Sequence, residues 1–280
     1  MSFMNKGAEE TSSEVDRDMQ KRNLIALAQS PGGFQFTNTF FPYTSGEIGP
    51  YYVQSAGIMA NGDAYRRACL DMSSLVVNVL GENFRAEGGV ILSGGESRDW
   101  IFSGPVASEL SSPHTMIYKD GKVIGASMKD KRVAHVADLN NEGSSPRDLW
   151  VPAIKREGGN IEHIFFFIDR LEDGVEEMKK LGLKSHALVP LDEYAWEQLQ
   201  DMGVIDKEVY RSLRERMESK KEWALNTFSS GEGLETLVAL FASAKTREKG
   251  VKILDTYKEV RGELVDRMKH CAPGVARWLP

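Results

Sequence analysis

The run EHIFFFID, Glu162 to Asp169, restricts the possible folds more than any other part of the chain. A strand points its side chains alternately to two faces, so the unbroken apolar stretch Ile164 to Ile168 needs cover on both. The centre of a mainly parallel sheet with helices on either side supplies it. Around this run the pattern alternates. Cys69, Leu70, Met72, Leu75, Val76 and Val79 recur at helical spacing within residues 64 to 80, and Gly88-Gly89 leads into VILSGG, which closes on Gly94-Gly95. Helices are expected near Trp100 to Leu110, Arg147 to Glu157 and Glu172 to Leu181, and strands near Thr115 to Tyr118, Arg132 to Ala137 and Ser185 to Glu193. Strands and helices in alternation predict an α/β domain.

The ends of the chain differ from this middle. Thr11-Ser12-Ser13-Glu14 has the spacing of a capping box, and Leu24, Ile25 and Leu27 form a helical apolar face that Pro31-Gly32-Gly33 stops. FQFTNTFFPYTSGEIGPYYVQ follows; aromatic residues broken by Pro42, Gly46, Gly49 and Pro50 predict strand, turn, strand. Beyond about residue 193 strand signals cease. Tyr210, Leu213 and Met217, then Leu234, Leu237, Val238 and Phe241, then Leu254, Tyr257, Leu264 and Met268 mark helical stripes. The expected division is an α/β domain over residues 1 to 195 and a helical C-terminal extension over 196 to 280.

Charge and cysteine content narrow the class. The 280 residues carry 35 Lys and Arg against 41 Asp and Glu, a formal net charge of -6 that argues against a dedicated nucleic-acid binder. Residues 207 to 280 hold 15 basic and 11 acidic side chains, an excess best read as a solvated helical face. Cys69 and Cys271 are too few for a disulfide framework or a thiolate metal site, which points to a reducing cytoplasm. The start, Met1 to Asp18, is polar and acidic, and no run of 18 apolar residues follows, so neither export nor a membrane span is expected. His114, His135, His163, His186 and His270 show no metal-ligand spacing and are read as structural.

One stretch suggests chemistry. KDKRVAHVADLNNEGSS, Lys129 to Ser145, has the outline of a phosphate-binding loop: a strand ending in Asp138, then a turn whose backbone N–H groups could face an anion. Ala137 beside Asp138 and Glu142 within the turn depart from that outline.

Four collinear segments then resemble orotate phosphoribosyltransferases, of the type I phosphoribosyltransferase superfamily, over about residues 20 to 195. FPYTSGEIGPYYVQ, Phe41 to Gln54, is similar to the family's F-T-L-K-S-G-R-x-S-P-Y-F-F-N, with Ser45, Gly46, Pro50 and Tyr51 in place. YKDGKVIG, Tyr118 to Gly125, resembles the flexible loop R-K-E-x-K-D-H-G; VADLNNEG, Val136 to Gly143, resembles the phosphoribosyl pyrophosphate (PRPP) motif V-D-D-V-x-T-x-G. FFFIDRLEDG, Phe165 to Gly174, resembles the segment bearing D-R-x-E-G, and Leu181-Gly182-Leu183 with His186 follow as in the family.

The resemblance implies a type I phosphoribosyltransferase core of about five mainly parallel strands flanked by helices, a small N-terminal hood and a homodimeric working unit. It implies transfer of phosphoribose from PRPP to orotate or a related base, with Mg²⁺ on the pyrophosphate. Lys119 and Lys122 would neutralise that pyrophosphate and Asp138 would hold the ribose. Gly94, Gly95 and Arg98 would form the pyrophosphate loop, and Asn141, Gly143, Ser144 and Ser145 would hold the 5′-phosphate. Ser45, Tyr52 and Arg170 would meet the base, the arginine through its carboxylate. Thr44, Tyr118, Ala137 and Ile124 stand where the family has Lys, Arg, Asp and His. Each lost electrostatic contact would cost roughly 10²- to 10³-fold in rate. The alternative is therefore a catalytically impaired phosphoribosyltransferase fold that binds PRPP or a nucleotide, or regulates. A third reading is an interaction protein whose function lies in the helical extension.

Overall fold

In a computed structural model, which describes residues 16 to 81 and 89 to 279, the apolar run forms the strand β7, Asn160–Asp169. Ile164 to Ile168 are each 0% exposed. Both faces of the strand are covered, as the unbroken run requires. Phe167 stacks on Phe102 with ring centroids 4.5 Å apart, while Ile164 and Phe166 join the cluster around Trp150, Ile154 and Met178.

Before β7 the chain runs through α1 (Arg17–Ala28), β1 (Phe34–Pro42), β2 (Ile48–Val53), a 3-10 turn at Ser55–Ala60, α2 (Gly62–Leu80), β3 (Ile91–Gly95), α3 (Trp100–Glu109), β4 (His114–Ile117), β5 (Val123–Gly125), β6 (Arg132–Asn140) and α4 (Val151–Arg156). After it come α5 (Asp173–Lys180), β8 (Lys184–Pro190) and six helices: α6 (Glu193–Asp201), α7 (Lys207–Glu218), α8 (Lys220–Ser229), α9 (Gly231–Ala242), α10 (Arg247–Thr256) and α11 (Arg261–Cys271). Several helices begin where a side chain caps them: Asn61 accepts from two N–H groups of α2, Asp206 from two of α7, and Ser219 and Ser230 from one each in α8 and α9. The proposed cap at Thr11 to Glu14 lies outside the described residues, as does Gly88.

These elements fall into two compact units, residues 1 to 30 with 55 to 195, and residues 31 to 54 with 196 to 280. The first is the α/β unit. Its sheet has the order β5-β4-β3-β6-β7-β8, parallel throughout except for β5, which runs antiparallel to β4. About five strands were expected; the sixth is the three-residue β5, which folds back from a turn at Tyr118 to Lys122. The segment expected as a flexible loop is thus a short hairpin in this structure, closed by Tyr118 N–H to the Lys122 carbonyl at 2.8 Å.

In the second unit, β1 and β2 pair antiparallel, and Phe40 and Ile48 from this hairpin enter a core made by Trp223, Phe228, Leu237, Phe241, Leu254, Leu264 and Met268. The hairpin expected as a hood of the α/β domain shares its hydrophobic core with the C-terminal helices. The reason is local chemistry: β1 and β2 offer large apolar side chains and the helical stripes offer matching ones. Arg216 reinforces this, 5% exposed, its Nε donating to the Ile48 carbonyl at 3.2 Å. Cys69 and Cys271 are both free thiols. No helix among the described residues is long and apolar enough to cross a membrane.

Candidate functional site

In the α/β unit the chain leaves β3 toward α3 and β4, and leaves β6 toward α4 and β7, on opposite sides. Neighbouring parallel strands whose connections part in this way open a crevice at their C-terminal ends, where ligands of α/β folds bind. The strands pair at Ile91 with Val133, Leu92 with Ala134 and Ser93 with His135, and the pairing stops there. Gly94, Gly95 and Arg98 follow on one side, and Asp138 and the 141 to 145 turn on the other.

Asp138 is 7% exposed. Its Oδ2 accepts the Ser55 hydroxyl at 2.7 Å and lies 3.7 Å from Arg98 Nε. Beside it stands a carboxylate that the sequence did not single out. Asp99, 3% exposed, accepts the Asp138 backbone N–H at 3.0 Å through Oδ1 and the Gly95 N–H at 2.9 Å through Oδ2. Burial, then the charge of Asp99, pushes the Asp138 carboxyl well up from the usual range; burial also raises Asp99, against hydrogen bonds that favour its charged form. Two interacting buried carboxyls titrate as a coupled pair.

His135 lies beneath them, fully buried and stacked on Trp150 at 4.3 Å. Its Nδ1 is 2.9 Å from Ser93 Oγ, and its Nε2 is 3.4 Å from Asp99 Oδ2, too poorly placed for a good hydrogen bond. Burial lowers its pKa to about 3, so the ring is neutral at pH 7.

The glycine pair has a packing reason. A Cβ at Gly95 would overlap the Trp150 indole nitrogen and meet Asp99 Oδ2 at 2.6 Å; one at Gly94 would overlap Ser103. Lys119 and Lys122 occupy the β4–β5 hairpin and are exposed. The Lys119 N–H donates to Glu96 Oε2 at 2.9 Å, which ties this hairpin to the loop after β3. Tyr118, standing for an arginine, packs edge-on against Trp100 at 5.0 Å and faces the Lys122 ammonium at 5.9 Å.

Beyond β6, Gly143 has φ +70° and Cβ space limited by Glu177 and Met178, whereas Ser144 and Ser145 are exposed just before the helical turn that opens at Pro146. Asn141 binds the half-buried Glu142 at 3.4 Å, and the charge of Glu142 is felt by Arg147. Arg170 lies at the end of β7 and is 7% exposed, its NH2 group 3.0 Å from Glu172 Oε1. A base carboxylate would have to compete with Glu172 for it. The structure thus gathers Gly94, Gly95, Arg98 and Asp138 about one crevice and links Lys119 to its rim. Asn141, Gly143, Ser144 and Ser145 continue from β6. Ser45 and Tyr52 lie in the second unit, Ser45 exposed in the β1–β2 turn and Tyr52 38% exposed beside Phe41. Asp99 is the addition. Its position before α3 reads in sequence as an ordinary helix cap, and nothing in the spacing links it to a partner 39 residues away.

No family model matches the chain. It is 27% identical over 150 residues to an orotate phosphoribosyltransferase of Sulfolobus acidocaldarius, covering 51% of this chain and 72% of that protein. It is 27% identical over 184 residues to the orotate phosphoribosyltransferase of Staphylothermus marinus (64% and 86% covered), and 29% over 136 residues to an adenine phosphoribosyltransferase of Actinobacillus succinogenes (40% and 74%). Among solved structures, the UMP synthase of Leishmania donovani aligns with a TM-score of 0.60 at 17% identity over 70% of this chain, which spans 41% of that longer one. The orotate phosphoribosyltransferase of Francisella tularensis gives 0.56 at 17% identity, covering 69% of this chain and 96% of its own.

Proposed function

We propose that this chain, which has the type I phosphoribosyltransferase fold and resembles orotate phosphoribosyltransferases, transfers phosphoribose from PRPP to orotate or a related base. The observation that carries this reading is Asp138, held near the C-terminal end of β6 beside Arg98, with Asp99 accepting both its backbone N–H and that of Gly95. In the reaction a base nitrogen bonds to C1 of the sugar as the C1–O bond to pyrophosphate breaks. Positive charge develops on the sugar and negative charge on the leaving group, so the protein acts by positioning and neutralisation.

On this reading Asp138 accepts from ribose hydroxyls, Arg98 and the Gly94-Gly95 loop face pyrophosphate, and Lys119 and Lys122 neutralise it. Asn141, Gly143, Ser144 and Ser145 take the 5′-phosphate. Among the described residues no group of three or more His, Cys, Asp or Glu could hold a metal ion. Magnesium fits this donor set as the chelate that PRPP brings on its pyrophosphate. Ser45, Tyr52 and Arg170 for the base, a homodimeric working unit and a cytoplasmic location rest on the resemblance and the composition.

One observation favours a second reading, a protein of this fold that binds PRPP or a nucleotide without turnover: Arg170 is buried against Glu172 rather than presented to a base. Pyrophosphate release from PRPP and Mg²⁺ with a panel of bases including orotate and adenine separates the two. Release with one base, lost in Asp138→Asn and reduced in Lys119→Ala, is the expected result. PRPP binding with no release for any base would leave the second reading.

A further inference from the structure

Where β3 and β6 part, ladder hydrogen bonds end at Ser93 and His135. Just beyond, one side chain spans the gap: the two oxygens of Asp99 accept N–H groups from Gly95 on one strand and Asp138 on the other. Asp99 stands at the N-cap position of α3 yet makes no cap hydrogen bond to that helix. An ionised carboxylate is the better acceptor for two donors at once, whereas an asparagine would turn its NH₂ group toward one of them. These two donors favour the charged form of Asp99, against the burial that raises its carboxyl.

That charge acts on its neighbour. The groups facing Asp138 are Ser55 from the 3-10 turn and Arg98 and Asp99 from the loop before α3, while His135 of β6 faces Asp99. His135 is neutral, and the side chain of Arg98 is 54% exposed, so two buried carboxyls face one partly solvated cation. The pair titrates together: burial and the Asp99 charge favour the protonated form of Asp138, while the two N–H donors on Asp99 favour the ionised form of that group.

We propose that Asp99 is a positioning residue, which holds Asp138 near the end of β6 and sets the pH at which Asp138 becomes an acceptor for the hydroxyls of a bound sugar. The ligand half of this inference rests on the phosphoribosyl reading; the carboxyl pair does not. A sugar diol donates its protons, so the ionised form of Asp138 binds it better. Affinity for PRPP then rises with pH as Asp138 loses its proton.

The test follows the Asp138 carboxyl carbon by NMR in the unliganded full-length chain, with aspartate labelled by carbon-13 and Asp138→Asn used to assign the signal. Magnesium–PRPP binding is measured alongside by calorimetry from pH 5.5 to 8.5. In the native protein the Asp138 midpoint should lie far above that of an ordinary aspartate. Asp99→Asn should lower it by about one unit or more as the like charge disappears, and Ser55→Ala should raise it as the donor is lost. PRPP affinity should fall about tenfold per unit below the midpoint, and this limb should move to lower pH in Asp99→Asn. An ordinary midpoint in the native protein, or one that Asp99→Asn leaves in place, overturns the proposal; so does an affinity loss in Asp99→Asn that is equal at every pH. Should Asp99→Asn not fold, an unmoved or lowered midpoint in Ser55→Ala overturns it instead. A midpoint that behaves as stated, in a protein that binds no PRPP at any pH, supports the carboxyl pair and removes the phosphoribosyl reading.

Discussion

At Asp138 burial and the neighbouring Asp99 charge favour the protonated form, while the Ser55 hydroxyl and Arg98 favour the ionised one; the first two prevail and the carboxyl rises to about 7. The folded value exceeds that of the unfolded chain, about 3.9. The native state therefore holds a proton that the unfolded state has lost, and stability from this group is full below about pH 4 and is lost as pH rises through 7. His135 acts in the opposite sense: its folded value is depressed, so its contribution is present above about pH 6.5 and is lost as pH falls. A difference between variants isolates the first effect. The native protein's advantage in urea midpoint over Asp138→Asn should shrink steadily from pH 4.5 to 7.5; a constant or growing advantage would contradict a raised Asp138.

The elements around the crevice are coupled by close packing rather than by flexible contact. Gly95 ends β3 with no room for a methyl group between Trp150, which opens α4, and Asp99, which precedes α3. Gly95→Ala should cost ~1–3 kcal/mol through overpacking. Urea unfolding would read that cost, and PRPP binding should weaken as well, since Asp99 must move off the strand ends. The same scale shows why some elements were legible in sequence and others not. β7 announced itself because five consecutive apolar residues have few other homes in a folded chain. The helical stripes after residue 206 were as plain. β5 was missed: it has three residues, none buried, and exists because the Tyr118 to Lys122 turn brings it back to β4.

At the scale of the whole molecule, the grouping of elements departs from their order along the chain. The β1–β2 hairpin shares a core with helices that begin more than 150 residues later, and Arg216 joins them. The Arg216 guanidinium lies 5.7 Å from the Tyr43 ring and 5.9 Å from that of Trp223, and 3.9 Å from Glu47. Arg216→Ala removes the donor to the Ile48 carbonyl and should cost ~1–3 kcal/mol, the price of an unsatisfied buried acceptor. Hydrogen exchange should then quicken across residues 34 to 53 together with α7 and α8. Unchanged protection in the hairpin would count against the shared core.

The sequence by itself determined the α/β order, the strand that must be buried on both faces, the helical tail, and Asp138 near the end of a strand, which runs two residues further than expected. These follow from periodicity and composition, which are local properties of the chain. Only the tertiary structure decided that the hairpin packs with the tail and that Asp99 lies against Asp138. Each of these depends on which distant surfaces meet and exclude water, and a buried charge acquires its partners and its proton from that meeting rather than from its neighbours in sequence.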